Sequence, residues 1–104
     1  MMDHELKAKW VATLRSGNYS QGRNQLRNRL NQCCCLGVLC DIVAPSHWSG
    51  ANDYTGYSHA GQRMIPHREF LLHRLTRQQV DELARMNDHG KSFDVIASYI
   101  EDHI

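Results

Sequence analysis

The chain has 104 residues, with 12 lysines and arginines against 11 acidic residues, a formal net charge of +1 and a hydrophobic content of 41%. This length is enough for one domain with its own core, so we expect residues 1–104 to form a single domain. No apolar run approaches the roughly 20 residues of a membrane span. The N-terminal stretch MMDHELKAKW carries acidic residues and lacks the apolar centre of a secretory signal. We therefore expect a cytoplasmic protein without a membrane partner.

The first predicted element is an amphipathic helix over residues 3–16. Its apolar residues recur every four positions and share one face: Leu6, Trp10 and Leu14. Asp3 is a suitable N-terminal cap, and Gly17 begins to break the pattern in the stretch SGNYSQG. The helix is therefore expected to end just before this loop.

Residues 23–32, RNQLRNRLNQ, are compatible with two structures. Leu26 and Leu30 are four apart, which suits a helical turn, but the Asn and Gln residues weaken a helix. Asn28 lies centrally and suits the turn of a hairpin. We predict two short strands here, with the helical turn as the alternative.

All the cysteines lie in the next stretch, QCCCLGVLCD, at positions Cys33, Cys34, Cys35 and Cys40. Zinc needs four converging ligands, usually from two separated pairs, whereas three adjacent residues of a helix or strand point in different directions. A reactive thiol needs an exposed, electropositive setting, but aliphatic residues follow these thiols. We therefore predict a buried helix over residues 34–43 that ends at Ala44-Pro45, with no metal and no cofactor.

Residues 46–62, SHWSGANDYTGYSHAGQ, are rich in Ser, Gly and Asn and are predicted to form the longest irregular segment. A short strand at residues 63–65, stopped by Pro66, and a helical turn at residues 69–74 are expected to follow.

The last third predicts an antiparallel helical hairpin. Thr76 and Gln79 have the spacing of a capping box and begin a helix that runs to about Met86. Residues 87–90, Asn-Asp-His-Gly, are predicted to form the turn. We expect the Asp88 carboxylate to cap a backbone amide and not to bind a metal. Ser92 then caps a helix that runs to His103. The apolar stripe of this helix is also compatible with a dimer interface, so a homo-oligomer stays an alternative. The predicted fold class is α+β: a small, mainly helical domain with a short β-hairpin and a C-terminal helical hairpin.

Arginines and aromatic residues concentrate around the irregular segment. Aromatic faces stack on bases and arginines bind phosphates, although both types are also enriched at protein contacts, and aromatics can simply cover a core. The candidate ligand-binding residues are Arg23, Arg27, Trp48, Tyr54, Tyr57 and Arg63. Because the sequence has no nucleophile elbow, P-loop or dinucleotide-binding glycine motif, we predict no catalytic residues and no enzyme.

Three motifs occur in a fixed order: Trp10 followed by LRSGNYSQG, CCLGVLCD at residues 34–41, and MNDHGKSFDVIASYIEDHI at residues 86–104. The chain resembles a group of small uncharacterised proteins of bacteriophages and prophages, related to a domain of unknown function. The resemblance covers most of the chain except residues 46–62, and Cys33 departs from the aromatic or polar residue usual at its position. It implies a hairpin leading into a cysteine- and leucine-rich helix, and it carries over no catalytic residues.

Small phage proteins often counter host defence, so the resemblance implies an accessory protein that acts in the host cytoplasm. With the arginines and aromatics, it predicts a binding protein that sequesters a small nucleotide immune signal. The alternative partner is a host defence protein, inhibited by direct contact in the manner of anti-CRISPR or anti-restriction proteins. A small enzyme or metalloprotein is the third hypothesis.

Overall fold

The computed structural model describes residues 2–50, 56–67 and 74–104. Its α-helices within these ranges are α1 (His4–Arg15), α2 (Cys35–Val43), α3 (Arg77–Asp88) and α4 (Phe93–His103). A short 3-10 helix, Pro45–His47, leads into strand β1 (Trp48–Ser49), which pairs antiparallel with β2 (Ser58–His59). The α+β class and the C-terminal helical pair are thus confirmed, and the fold contains a short hairpin, although at another position in the chain than predicted. Within the described ranges, no helix is both long enough and apolar enough to cross a membrane.

The first helix has the predicted boundaries. The Asp3 carboxylate accepts a hydrogen bond from the Leu6 N–H at 3.1 Å, and the chain leaves the helix through Ser16. Gly17 follows with a φ of +79°, which glycine adopts without strain. Trp10 is fully buried, and its indole N–H donates to the Cys35 carbonyl at 3.0 Å. This bond joins α1 to the start of α2.

Helix α2 is the centre of the core, as predicted. Every residue from position 35 to position 40 is buried, and the helix packs between α1 and α3. The Sγ of Cys34 accepts a hydrogen bond from the Gly37 N–H at 3.4 Å, so this thiol serves as the N-cap. The helix ends at Val43 because Pro45 disfavours helical backbone in the residue before it.

The C-terminal pair begins with the predicted capping box. The Thr76 hydroxyl accepts from the Gln79 N–H at 3.1 Å, and the Gln79 side chain accepts from the Thr76 N–H at 2.8 Å. Ser92 caps α4, which packs against α1. The predicted turn at residues 87–90 is partly wrong, because Asn87 and Asp88 are the last residues of α3. The chain reverses after them, with Gly90 at a φ of +96°.

The hairpin predicted within residues 23–32 is wrong, as is its helical alternative. Asn28 does direct a turn, because its side-chain oxygen accepts from the N–H groups of Leu30 and Gln32, each at 3.0 Å. The flanking residues, however, form only isolated bridges, with Arg27 facing both Cys33 and Tyr57. The regular hairpin lies instead within residues 46–62, which were predicted to be irregular.

Two further short elements were predicted between the hairpin and α3. Residues 63–65 form a bend and not a strand, although the Arg63 carbonyl accepts from the Leu26 N–H at 2.6 Å. The helical turn predicted at residues 69–74 lies, except for Arg74, outside the described residues.

Segment 20–33 crosses α2 at a glycine. Leu26 is fully buried, and its carbonyl accepts from the Cys34 N–H at 3.2 Å. A Cβ atom on Gly37 would lie 1.9 Å from the Leu26 carbonyl oxygen and 2.7 Å from its carbonyl carbon. Any side chain at position 37 would therefore push the two backbones apart.

We expect Gly37→Ala to lower the free energy of unfolding by about 1–3 kcal/mol or more, because the added methyl group meets backbone atoms that cannot rotate away. Gly50→Ala is the matched control, since no atom of the described residues lies within 4 Å of a Cβ there, and it should change the stability by less than about 1 kcal/mol. Urea unfolding monitored by circular dichroism measures both. Equal stabilities for the two variants would show that the contact is not tight.

Candidate functional site

Asn87 fixes segment 20–33 against the helices. This residue is fully buried at the end of α3, and its amide group donates to the Gly22 carbonyl at 2.8 Å. Its side-chain oxygen accepts from the Cys35 N–H at 3.2 Å and from the Gln21 side chain at 2.9 Å. One buried amide thus joins three segments of the chain. The sequence prediction missed this role because it placed the residue in a turn.

The neighbouring carboxylate has the structural role that was predicted for it. Asp88 accepts a hydrogen bond from the Asn24 N–H at 2.8 Å. Asn24 has a φ of +65°, a conformation that asparagine tolerates better than most residues. The carboxylate therefore holds a strained backbone position of segment 20–33.

Arg27 projects from this segment onto two aromatic rings. The Tyr57 N–H donates to the Arg27 carbonyl at 2.9 Å, and a Cβ on the preceding Gly56 would lie 2.5 Å from that carbonyl oxygen. The Arg27 guanidinium carbon lies 4.2 Å from the centre of the Tyr57 ring and 5.3 Å from that of Trp48. Both distances are in the cation–π range of about 6 Å. We call this group of three residues the arginine stack.

Asp41 lies beside the arginine stack and binds two aromatic side chains. Its carboxylate accepts from the Trp48 indole N–H at 2.9 Å and from the Tyr19 hydroxyl. Burial raises the pKa of Tyr19 to about 12, and the hydrogen bond to Asp41 acts in the same direction. The sequence prediction missed both Tyr19 and Asp41. The available signal was that Asp41 is the one charged residue in the apolar run from position 33 to position 43.

A cavity of about 340 Å³ opens between these groups, and we call it the Arg27–Asp41 cavity. Its lining comprises Asn18, Tyr19, Ser20, Arg27, Leu30, Asn31, Cys33 and Asp41. The Arg27 side chain donates through Nε to the Asn31 side chain, which orients the guanidinium. The volume is at the lower end of the range for small-molecule sites, about 300–1,000 Å³. The lining offers a cation, a carboxylate, amides and hydroxyls to a polar ligand.

A larger cavity, of about 580 Å³, lies on the exposed side of α1. It is lined mostly by α1 residues, and its lining includes Arg15 and Glu101, which form an ion pair at 2.7 Å. None of the five predicted ligand-binding residues that the structure describes lines it. The smaller cavity is therefore the better candidate, because the arginine stack borders it.

The structure brings together three of the six predicted site residues: Arg27, Trp48 and Tyr57. Arg23 extends instead towards the α3–α4 turn, where its Nη2 atom would lie 3.2 Å from a Cβ on Gly90. Arg63 is exposed beside Leu26, which its carbonyl contacts. Tyr54 lies outside the described residues.

The four cysteines are free and buried, which confirms their predicted place in the core. Burial raises the pKa of Cys33 to about 11 and that of Cys34 to about 12, and it raises those of Cys35 and Cys40 as well. Such thiols stay protonated at neutral pH and are poor nucleophiles. In the part of the chain that the structure describes, no three His, Cys, Asp or Glu side chains converge on a point where a metal ion could bind.

Comparison with known proteins identifies the family of this chain. The sequence model of a family described as "Domain of unknown function (DUF8296)" matches residues 2–71. The chain therefore belongs to this family. No curated protein and no solved structure matches it.

Because the four thiols are buried, we expect the free energy of unfolding to fall at alkaline pH. The folded state keeps these protons at pH values where the unfolded state, with a usual thiol pKa of 9.0, has released them. We therefore expect full stability well below pH 9 and a fall as the pH rises past it, with a slope that approaches about 1.4 kcal/mol per pH unit for each thiol between its unfolded and folded pKa. Urea unfolding from pH 8 to pH 10 measures this slope. Cys33→Ala should make the slope shallower, and an unchanged slope would contradict the assignment.

Asp41→Ala should lower the pKa of Tyr19, because it removes both a hydrogen-bond acceptor and a negative charge. Burial should still keep this pKa above the usual value of 10.0. Absorbance titration of the phenolate measures the change, with Tyr19→Phe to assign the signal. Asp94→Ala, an exposed change on α4, serves as the control. The same Tyr19 pKa in the wild-type protein and in Asp41→Ala would disprove the contact.

Proposed function

We propose that this member of the DUF8296 family binds a small nucleotide-type ligand in the Arg27–Asp41 cavity. The observation that carries the proposal is the arginine stack at the edge of a polar cavity. Arginine has a planar fork of N–H donors that matches phosphate oxygens, and its flat faces stack on rings. Tyr57 and Trp48 already lie against the guanidinium, so its N–H fork is left for a phosphate, and the carboxylate and amides on the same lining are left for a base.

The surroundings of Arg27 support this kind of ligand. Two rings and the Asn31 side chain already hold the guanidinium, so binding would cost little further side-chain ordering. Asn18 and Ser20 also line the cavity and supply hydrogen-bonding groups for a ribose or phosphate. Preorganisation of this kind increases affinity without adding contacts.

For the biological role, we propose a phage accessory protein that counters host defence by sequestering a nucleotide immune signal in the host cytoplasm. The resemblance to small phage proteins supports this setting. Sequestration requires binding alone, and the hydrogen-bonded groups around the Arg27–Asp41 cavity supply a means of binding.

A second candidate function is direct inhibition of a host defence protein. Its supporting observation is that Leu30 is 72% exposed and Met64 is 65% exposed. The Leu30 N–H is held by the Asn28 side chain at 3.0 Å, so its turn is fixed. An exposed apolar side chain on a fixed turn, with Arg27 nearby, has the character of an anchor at a protein contact.

Titration calorimetry with a panel of mononucleotides, cyclic dinucleotides and ADP-ribose tests the first candidate. We expect at least one to bind, and Arg27→Ala to weaken it by about 10-fold to 100-fold, since a hydrogen bond to a charged group contributes about 1.5–3 kcal/mol. Arg77→Ala is the matched control, because that side chain is 80% exposed on α3 and pairs with Asp81 one turn along the same helix. It should leave the affinity unchanged.

No binding by the wild-type protein at millimolar concentrations, or equal affinities for wild type and Arg27→Ala, would contradict the proposal. Met64→Asp separates the two candidates, since this residue does not line the Arg27–Asp41 cavity. The second candidate requires this variant to lose a host protein partner, and the first requires it to keep its nucleotide affinity.

A further inference from the structure

We infer that the Arg27–Asp41 cavity selects guanine among the nucleobases, and that Asp41 is the residue that reads it. The inference rests on the nucleotide binding proposed above and names the ligand class of the same site. The observation behind it is an oriented carboxylate on the cavity wall, on the same lining as a stacked arginine.

The remaining hydrogen-bonding capacity of Asp41 sets the pattern that a ligand must match. An ionised carboxylate only accepts hydrogen bonds, and it has about four acceptor positions on two oxygens. Trp48 occupies one on Oδ1, and Tyr19 occupies one on Oδ2. About one position on each oxygen is left, so the carboxylate can accept two adjacent N–H donors from a ligand.

Guanine is the common base that presents such a pair of donors, its ring N1–H and its exocyclic amino group. Adenine and cytosine place a ring acceptor beside the amino group, and uracil has one ring N–H between two carbonyl oxygens. These acceptors would face the lone pairs of the Asp41 carboxylate and leave one of its oxygens without a hydrogen-bond donor, which is costly in a partly enclosed site. A site built to pair with N–H donors therefore rejects bases that lack them.

The hydrogen bonds to Asp41 also limit its movement. Tyr19 lies in the loop after α1 and Trp48 begins β1, so the carboxylate is bound by two different parts of the chain. A carboxylate held in this way cannot turn to suit another base without losing one of these bonds. Selectivity of this kind depends on a fixed acceptor and not on negative charge alone.

Charge orients the ligand within the Arg27–Asp41 cavity. The carboxylate repels phosphate, whereas the guanidinium attracts it, so the base lies towards Asp41 and the phosphate towards Arg27. Leu30 and Cys33 supply apolar contact on the same lining. A volume of about 340 Å³ suits one nucleotide unit, alone or as part of a larger signal.

The test is titration calorimetry of wild type and Asp41→Asn with GMP, IMP, AMP, CMP and UMP. The wild-type protein should bind GMP about 10-fold or more tightly than AMP, CMP or UMP, as a well-formed bidentate contact provides. IMP keeps the ring N–H but lacks the amino group, so its affinity should lie between those of GMP and AMP. Asp41→Asn should remove the preference for GMP over AMP, because the amide presents a donor where an acceptor is needed.

Three outcomes would overturn this inference. Equal affinities for all five nucleotides would refute guanine selection and leave nucleotide binding intact. Binding by none of the five would also refute guanine selection, and binding by none of the wider panel described above would refute both. A preference for GMP that persists in Asp41→Asn would show that another group reads the base. Circular dichroism and the melting temperature of Asp41→Asn establish that the variant is folded, and Asp94→Asn controls for a general change of charge.

Discussion

The backbone of Leu26 rests directly on α2 at Gly37, and the position of the candidate site follows from that contact. Glycine is required there because a Cβ would fall 1.9 Å from the Leu26 carbonyl oxygen. The neighbouring Arg27 is thereby carried across the helix to Trp48 and Tyr57. Gly37 and Asp41 are four residues apart and so share one face of α2. The same helix face therefore receives the crossing segment and supplies the carboxylate beside the arginine stack.

Segment 20–33 lacks a regular ladder, so its backbone groups need other partners. Asn87 and Asp88, at the end of α3, supply them by binding Gly22 and Asn24. The helical pair at the C-terminus thus has two roles, since it closes the core and also holds one end of the segment that bears Arg27. These buried side-chain hydrogen bonds hold an irregular backbone in place, a role that the hydrogen bonds of a regular helix or sheet have elsewhere in the fold.

The helices could be predicted from sequence because their signals are local. Asp3, Ser92 and the Thr76–Gln79 pair are caps within a few residues of the helices they begin. The structure of residues 23–32 could not be predicted in the same way, because its partners, at positions 57, 63 and 87–88, lie far along the chain. The same limit applies to the site. The concentration of arginines and aromatics in the sequence was enough to predict the members of the arginine stack. Tyr19 and Asp41 are 22 positions apart, so their hydrogen bond produces no local sequence pattern that could predict it.

Native-state hydrogen exchange measures most directly whether segment 20–33 is locked onto α2. The amides of Cys34 and Tyr57 report on it, since they donate to the carbonyls of Leu26 and Arg27 at 3.2 and 2.9 Å. We predict that both exchange only through global unfolding, with the same opening free energy as the buried Val11 in α1. Exchange of these two amides through a separate opening of much lower free energy would show that the segment moves independently. It would contradict a site held in place by the contact at Gly37.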